Sequence, residues 1–351
     1  MQHRLLLPLL ALALCACNTY QPLRDDKILY PSPRRAPDGP GVKVMYFGNT
    51  TILISDGETT LLVDGFFSRP NPLSVKFGKI EPNEKVIQKQ LDLAKMGRVD
   101  ALLIGHSHYD HALDAPLVAQ KLDAIAAQQG KHTVTMGSSS YAFIHEGGGA
   151  TCDREHLHIV ERDGMTRTFG KFTVTFRPSE HISPHLPGQA DMMGHVQALV
   201  VPPAKAKDFK CDPVYVLHIR HADEGSIAIT TTAGALKDQF KGLTADVVMP
   251  AVGLLSKEPC CQQEFYWREA VEKLNPKTVI PVHWDNFLLK LDDSPQVRRN
   301  LKAPPLKFFD DTRSTMDFVK RHSKDKDVWT MGLRDSFLLR SGKVLLAKQD
   351  M

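Results

Sequence analysis

Apolar and polar residues alternate from residue 42 onward. Val42–Tyr46 has every second position apolar, and two further short apolar runs follow at Thr51–Ser55 and Thr60–Asp64. A period of two is typical of half-buried strands, and Asp56-Gly57 between the second and third runs favours a hairpin turn. The pattern therefore predicts a three-stranded β-meander.

Helical periodicity takes over after a loop over residues 65–80, where Phe66, Phe67, Arg69 and Phe77 are candidate walls of a substrate site. Residues 82–96 carry apolar side chains at spacings of three and four, which predicts a helix. The branched, wholly apolar run at residues 99–104 predicts a buried strand. A second helix begins after Asp114, which we expect to cap it, and closes near residue 130.

The second half of the chain repeats this order of strands followed by helices. Its predicted strands are Leu157–Val160, Phe172–Arg177, Val196–Val201, Val214–Ile219, Ser226–Thr230, Asp246–Pro250 and Thr278–Trp284; its predicted helices are Gln262–Leu274 and Thr315–Arg321; a hairpin over Asp335–Leu346 ends the chain. Two such halves, packed sheet to sheet with helices outside, form an α+β, four-layer αββα sandwich. No linker-like segment interrupts this pattern, which predicts one domain over residues 42–351.

The amino terminus departs from the globular pattern. Arg4 precedes an apolar run over residues 5–16, which is too short to span a bilayer as a helix. A basic start followed by such a run predicts a signal peptide over residues 1–16. The end of the run resembles a bacterial lipobox, because the small Ala16 precedes Cys17, and this predicts lipidation of Cys17. Cys15 fits less well because Leu14 precedes it, and a cleaved signal without lipid is the alternative.

The proline-rich residues 17–41 lack periodicity and are predicted to form a tether between the lipid and the domain. Asn18 stands where lipoproteins kept at the inner membrane of Gram-negative bacteria carry an aspartate. By this resemblance we expect a lipid-anchored protein of the cell envelope that faces the periplasm, at the outer membrane.

Composition narrows the function classes. The 351 residues are 42% hydrophobic and 24% charged, as in soluble globular proteins. The net charge of +4 and the absence of a Lys/Arg cluster argue against a nucleic-acid partner. Outside the leader, cysteines occur at positions 152, 211, 260 and 261, so disulfides are an option in an oxidising compartment; their spacing is not that of a zinc knuckle.

The densest chemistry lies directly after the predicted strand at residues 99–104. His106, His108, Asp110 and His111 form the motif H-x-H-x-D-H on the loop that leaves this strand. A loop can direct several side chains at one point, and imidazole nitrogens and carboxylate oxygens are the ligands that Zn²⁺ and its neighbours prefer. The motif therefore predicts a metal site.

Two histidines far along the chain also stand at strand ends. His181 follows the strand at residues 172–177, and His283 ends the strand at residues 278–284. Loops from the two sheets of a sandwich converge at one edge, so we expect both histidines to join the H-x-H-x-D-H loop.

These motifs resemble those of the metallo-β-lactamase-fold hydrolases, in the branch that contains N-acyl-phosphatidylethanolamine phospholipase D and ascorbate-6-phosphate lactonase. The resemblance covers about residues 42–287. It implies one or two Zn²⁺ ions, with Mn²⁺ or Fe²⁺ as alternatives. The implied ligands are His106, His108 and His181 for one ion and Asp110, His111 and His283 for the other. It also implies that Asp64 supports the metal loop without binding metal itself.

One position departs from this family. Its members carry an aspartate that bridges both metals, and Thr232 stands at the expected place in this chain. A neutral hydroxyl is a poor substitute for a carboxylate, so we expect the second metal position to be weakened. Asp191 or Asp223 is a candidate replacement, although both are also ordinary surface carboxylates.

The chemistry of such a site indicates a hydrolase. A bound metal lowers the pKa of a coordinated water to about 7, which supplies a nucleophile at neutral pH. Asp110 would act as ligand or base, and His185 would bind phosphate or protonate a leaving group unless it is an ordinary surface histidine. The resemblance favours a phosphodiester in a small-molecule or lipid substrate. The alternatives are a lactone or ester hydrolase and a metal-binding scaffold that has lost catalysis.

Overall fold

The structure is a computed structural model, and it describes residues 35–149, 156–291, 301–304 and 308–347. The predicted signal peptide, Cys17, Cys152 and tether residues 17–34 lie outside these ranges. Tether residues 35–41 are described, and Arg35 and Pro40 accept hydrogen bonds from Ala347 and Arg340 of the carboxyl-terminal hairpin. Within the described ranges, no helix has both the length and the apolar character needed to cross a bilayer.

One sheet contains the amino-terminal meander, the parallel strands that follow it and the carboxyl-terminal hairpin. Its strands in chain order are β1 (Val42–Tyr46), β2 (Ile52–Ser55), β3 (Thr60–Val63), β4 (Ala101–Leu103), β5 (Val134–Gly137), β6 (Leu157–Ile159), β14 (Ser336–Arg340) and β15 (Lys343–Leu345). Their spatial order is β15-β14-β1-β2-β3-β4-β5-β6. The pairs from β15 to β3 are antiparallel, and those from β3 to β6 are parallel.

The other sheet is formed by the second half of the chain. Its strands are β7 (Met165–Phe169), β8 (Phe172–Ser179), β9 (Val214–His221), β10 (Gly225–Ile229), β11 (Val247–Met249), β12 (Thr278–Val279) and β13 (Asp327–Val328). They lie in the spatial order β13-β12-β11-β10-β9-β8-β7. The pairs from β7 to β10 are antiparallel, and the remainder are parallel.

Helices complete the layers. They are α1 (Pro72–Phe77), α2 (Glu84–Leu93), α3 (Tyr109–Ala112), α4 (Ala115–Ala127), α5 (Ser139–Gly147), α6 (Cys260–Ala270) and α7 (Thr312–His322). Two mixed sheets with helices confirm the predicted αββα sandwich.

The burial pattern explains why these segments form strands. Along β1, Val42, Val44 and Tyr46 are buried while Lys43 is exposed, as expected for a strand with one face in the core. Every residue of the parallel strands β4 and β11 is buried. Parallel strands covered on both faces need continuous apolar sequence, which residues 101–103 and 247–249 supply.

Strand direction brings the candidate site residues to one place. The parallel strands β3, β4 and β5 end at the same edge of their sheet, and β8, β10 and β12 share a direction in the other sheet. The two sheets meet at this edge, because the Tyr215 N–H donates to the Gly105 carbonyl at 2.8 Å. A Cβ at Gly105 would lie 2.3 Å from the Thr231 side chain, so the close approach of the sheets requires glycine.

Several local predictions were wrong. Residues 196–201 form no strand, because this segment crosses the surface: Leu199 and Val201 are 51% and 62% exposed. Strand β7 was missed, since its Thr-Arg-Thr centre is polar. Asp114 is the N-cap residue of α4, as predicted, but its carboxylate makes no hydrogen bond to that helix; it accepts from the N–H groups of Phe67 and Ser68 at 2.7 and 2.6 Å.

The residues on the loop after β3 that were predicted to line a substrate site are found in the core, in an ion pair or at the surface. Phe66 and Phe67 are fully buried core residues, and Arg69 is buried in an ion pair. Phe77 ends α1, a helix that the sequence pattern did not indicate, and is 76% exposed. The loop therefore packs inward over most of its length.

The described cysteines are not paired. Cys211 is buried, Cys260 and Cys261 are exposed, and all three are free thiols. No disulfide forms among these three, and Cys152, the fourth cysteine outside the leader, lies outside the described residues.

We expect Ile54→Ala to lower the free energy of unfolding by about 2–5 kcal/mol, because Ile54 is fully buried and its truncation leaves a cavity. Lys43→Ala, on the exposed face of the adjacent strand β1, should change it by less than about 0.5 kcal/mol. Chemical denaturation of both variants measures the difference. Equal effects would contradict the assigned faces of the meander.

Candidate metal centre

Six side chains that follow strand ends, with Asp110 and His111 in the short helix α3, form two adjacent triplets. In the first triplet, one nitrogen from each of His106, His108 and His181 lies within 4.8 Å of the other two. In the second triplet, which comprises residues 110, 111 and 283, the corresponding ligand atoms lie equally close. The structure thus brings these six residues together, and each triplet could hold a metal ion.

The two triplets share one pocket. The ring centroids of His106 and His111, which belong to different triplets, are 3.9 Å apart. The rings of His108 and His181 are 4.4 Å apart, and His111 and His283 are 5.4 Å apart. The H-x-H-x-D-H loop therefore contributes to both triplets, and one distant histidine completes each.

Hydrogen bonds fix the outward nitrogens of the first triplet. His108 donates through Nε2 to the Met192 carbonyl at 3.1 Å, and His181 donates through Nδ1 to the Ile182 carbonyl at 2.8 Å. A carbonyl accepts only from a protonated nitrogen, so Nδ1 of His108 and Nε2 of His181 keep their lone pairs for a metal.

His106 completes this arrangement. Its Nδ1 lies 3.1 Å from the Thr231 hydroxyl at the end of β10. Its Nε2 is buried and has no hydrogen-bond partner among the described residues. Burial of an unpartnered polar atom is costly, and a metal ion at this nitrogen would remove the cost.

Asp64 orients the second triplet. Its carboxylate Oδ2 lies 2.7 Å from Nδ1 of His111 and also accepts from the Thr50 hydroxyl, while Oδ1 accepts from the Gly105 N–H at 3.0 Å. These contacts occupy both Asp64 oxygens and leave His111 Nε2 for a metal. Asp64 therefore holds a ligand and the metal loop without being a ligand.

The remaining ligands of the second triplet contact one another. Oδ2 of Asp110 lies 3.5 Å from Nε2 of His111 and 3.3 Å from Nε2 of His283. Two imidazole nitrogens thus approach one carboxylate oxygen, the arrangement in which a divalent cation would sit between them.

Strained backbone helps to aim these groups. Asn49, Asp64 and His283 have φ values of +52°, +57° and +56°. Asn, Asp and His tolerate this left-handed region better than other non-glycine residues, yet it still has an energetic cost and is concentrated at functional sites. The three turns direct side chains of both sheets into the same pocket.

Burial keeps the first triplet neutral. Removal from water lowers the pKa of His108 to about 4 and lowers the pKa values of His106 and His181 well below the usual histidine value; neighbouring imidazoles add to this effect. Neutral imidazoles are the form that binds metal, so the triplet is ready for a cation at neutral pH.

The second triplet has the opposite electrostatics. Burial disfavours a charge on His111, but the carboxylates of Asp110 and Asp64 overcome it and raise its pKa. Burial also opposes ionisation of Asp110, yet His111 and His283 lower the pKa of this carboxyl overall. A proton on His111 and the Asp110 charge stabilise each other, and a cation bound at His111 would displace that proton.

The donor set fits borderline divalent ions. Five imidazole nitrogens and one carboxylate oxygen suit Zn²⁺, Fe²⁺ or Mn²⁺. Asp110 is the one carboxylate in the two triplets. Such a set carries a formal charge of about −1 against the +4 of two divalent ions. This imbalance favours one tightly bound ion and a weaker second.

Thr232 brings no carboxylate to the pocket. Its hydroxyl accepts from the Ile182 N–H at 3.2 Å. Asp191 and Asp223, the candidate replacements, are exposed and outside both triplets, and Asp223 pairs with Lys171 at 2.8 Å. Neither residue therefore supplies the bridging carboxylate that Thr232 lacks.

His185 also lies outside both triplets. It is half-buried, and its Nε2 lies 3.1 Å from Oε1 of Glu258. The same Glu258 oxygen accepts from the Ser183 N–H at 3.0 Å. His185 Nε2 is thus close to a buried carboxylate, although it has no hydrogen-bond partner among the described residues.

Sequence reasoning missed the residues that orient the ligands. Thr231 and the Met192 carbonyl had no recognisable signal, since one is a hydroxyl in a threonine run and the other a backbone group. Asn49 had a weak signal as a polar residue at the break after β1. Asp285 had a similarly weak signal, because it stands two residues after the candidate ligand His283.

Comparisons with known proteins agree with the architecture. The family profile described as a β-lactamase superfamily domain matches residues 59–212. With this match on the two-sheet framework, the fold is settled. The chain has the metallo-β-lactamase fold.

Solved structures similar to this metallo-β-lactamase-fold chain are distant in sequence. The metallo-β-lactamase fold protein YhfI from Bacillus subtilis is 14% identical to this chain. The match covers 84% of this chain and 98% of YhfI, with a TM-score of 0.47. An isothiocyanate hydrolase from Delia radicum gut bacteria is 13% identical over 87% of this chain and 100% of its own, with a TM-score of 0.47. CmlA, a diiron β-hydroxylase from Streptomyces venezuelae, is 17% identical over 87% of this chain and 55% of CmlA, with a TM-score of 0.49.

We expect His108→Ala to abolish tight zinc binding, because the first triplet would keep two of its three nitrogens. Any metal-dependent activity should be lost with it. Metal content after equilibrium dialysis measures the change, and His132→Ala, at a half-exposed histidine outside both triplets, is the control. Full activity in His108→Ala would refute the assignment of the site.

Asp64→Asn should weaken metal binding by about 10–100-fold, because an amide holds the His111 ring less firmly than a carboxylate does. Competition with a chromogenic chelator gives the affinity. Asp163→Asn, at an exposed aspartate, should leave it unchanged. Equal affinities for Asp64→Asn and the unaltered chain would mean that Asp64 does not support the centre.

Proposed function

We propose that this chain is a metal-dependent hydrolase that acts on a phosphodiester, with a phospholipid-like molecule as the preferred substrate class. The observation that carries the proposal is the pair of adjacent triplets in which hydrogen bonds already fix His108, His181 and His111 with one nitrogen directed inward. Zn²⁺ is the proposed ion, with Mn²⁺ and Fe²⁺ as alternatives.

A divalent cation bound in this pocket would lower the pKa of a coordinated water to about 7 and polarise the oxygen of the scissile group. The protein supplies position and proton transfer. His111 and His283 hold Asp110, which in turn can accept a proton from the attacking water if it is not itself a ligand. His185, four residues beyond His181, is the proposed phosphate-binding or proton-donating group, and its Nε2 lies 3.1 Å from Oε1 of Glu258.

The aromatic side chains beside the second triplet favour a substrate that has an apolar part. Phe287 is half-buried, and its ring lies edge to face with His283 at a centroid distance of 5.3 Å. The Tyr109 ring lies 6.3 Å from the Phe287 ring, centroid to centroid. An acyl chain or aromatic group could pack on this pair, while a phosphate occupies the imidazole pocket.

Membrane attachment belongs to the same proposal. A lipid at Cys17 would hold the catalytic domain near a bilayer of the cell envelope, on its periplasmic face. This part rests on the sequence of residues 1–18 alone.

The single carboxylate of the centre favours a second candidate, a metal-binding scaffold without turnover. A lactone or ester hydrolase is the third, because the same activated water attacks a carbonyl. The three differ in what they turn over, and one assay separates them.

The test is hydrolysis of bis(p-nitrophenyl) phosphate by protein loaded with Zn²⁺, Mn²⁺ or Fe²⁺, beside a panel of aryl esters, lactones and phospholipids. We expect phosphodiester turnover that a chelator abolishes and added metal restores. Turnover of esters or lactones alone would favour the alternative hydrolase. Stoichiometric metal binding with no chelator-sensitive turnover of any substrate would refute the hydrolase proposal and favour the metal-binding scaffold.

A further inference from the structure

A buried ion pair lies next to the second triplet and belongs to neither triplet. Nη2 of Arg69 and Oδ2 of Asp285 are 2.8 Å apart, and their side chains are 1% and 0% exposed. A buried ion pair contributes little net stability, because desolvation offsets the attraction between the charges. Stability alone therefore does not explain why this ion pair is buried here, and its contacts indicate another role.

The pair is locked to the turn after β1. Oδ1 of Asp285 accepts from the Asn49 N–H at 2.7 Å and from the Tyr46 hydroxyl at 3.2 Å. A Cβ at Gly48 would lie 2.1 Å from Nη2 of Arg69. The guanidinium thus packs directly on the backbone of this turn, and its partner Asp285 holds the N–H of Asn49.

Asn49 passes this constraint to the metal ligands. Its Nδ2 donates to the backbone carbonyl of Asp110 and lies 3.5 Å from Oδ2 of that residue. Its own carbonyl accepts from the His283 N–H at 2.8 Å. One residue thus touches two of the three ligands of the second triplet, and Asn49 Oδ1 is buried without a hydrogen-bond partner among the described residues.

The first triplet has separate supports. Its outward nitrogens contact the Thr231 hydroxyl and the carbonyls of Met192 and Ile182, none of which belongs to the Arg69–Asp285 network. Disturbing that network should therefore affect the two triplets unequally.

We propose that the Arg69–Asp285 ion pair, acting through Asn49, is a positioning element specific to the second triplet and sets how tightly this chain holds a second metal ion. The proposal rests on the proposed function only in taking the triplets as metal sites. The network offsets part of what the chain lacks at Thr232, because it holds Asp110 and His283 in place before a cation arrives.

Asn49→Gly tests the proposal with little disturbance of the fold. Glycine adopts the φ of +52° without strain, and the substitution removes the whole side chain, including its carboxamide. Asn275→Gly is the matched control, because exposed Asn275 has a φ of +49° and lies at the end of a 3₁₀ helix outside both triplets. Asp285→Asn keeps an acceptor for Asn49 and Tyr46 but removes the charge that holds Arg69.

Titration of metal-free protein with Co²⁺, read by absorption and by metal content, resolves successive equivalents without any activity assay. We expect Asn49→Gly to weaken the second equivalent by at least about tenfold and to leave the first unchanged. Asp285→Asn should act in the same direction, and Asn275→Gly should match the unaltered chain. Thermal unfolding of the metal-free variants checks that each is folded.

Unchanged binding of both equivalents in Asn49→Gly would overturn the proposal, as would equal weakening of both. Uptake of a single equivalent by the unaltered chain would also overturn the proposal, because the network would then hold no second ion. Absence of substrate turnover would refute the hydrolase and leave this binding result intact.

Discussion

The centre depends on orienting five imidazoles in one buried pocket so that each presents a nitrogen to a metal ion. Rings as close as 3.9 Å cannot all be protonated, and burial lowers the pKa values of His106, His108 and His181. A neutral imidazole presents its lone pair inward only if its other nitrogen has a partner outside the pocket. The backbone carbonyls and the Asp64 carboxylate that meet the outward nitrogens are therefore as necessary as the ligands.

This requirement explains the surrounding architecture. The partners lie on both sheets, so the sheets must end at the same edge and approach closely, which Gly105 permits. The two triplets nevertheless differ. The first relies on neutral partners, while the second is surrounded by charges, with Asp64 and Asp110 at His111 and a buried ion pair behind Asn49. A site with unequal affinities for two cations follows from this asymmetry.

Much of this could be predicted from the sequence. The H-x-H-x-D-H motif, His181 and His283 could be found because each stands at the end of an apolar run, and strand ends converge in a sandwich. Tertiary contacts decided the rest. Phe66 and Phe67 pack inward although their loop looked like a site wall, and Arg69 pairs with Asp285 across 216 positions, which no local pattern reveals. Met192 acts through a backbone carbonyl, which is independent of residue type.

Anomalous diffraction from crystals grown with Co²⁺ or Zn²⁺ tests the central claim most directly. We predict a strong peak within coordination distance of His106 Nε2, His108 Nδ1 and His181 Nε2, and a second peak of equal or lower occupancy beside Asp110, His111 and His283. A metal-loaded crystal with no peak at either triplet, or with the imidazoles turned so that other nitrogens face the pocket, would contradict the account.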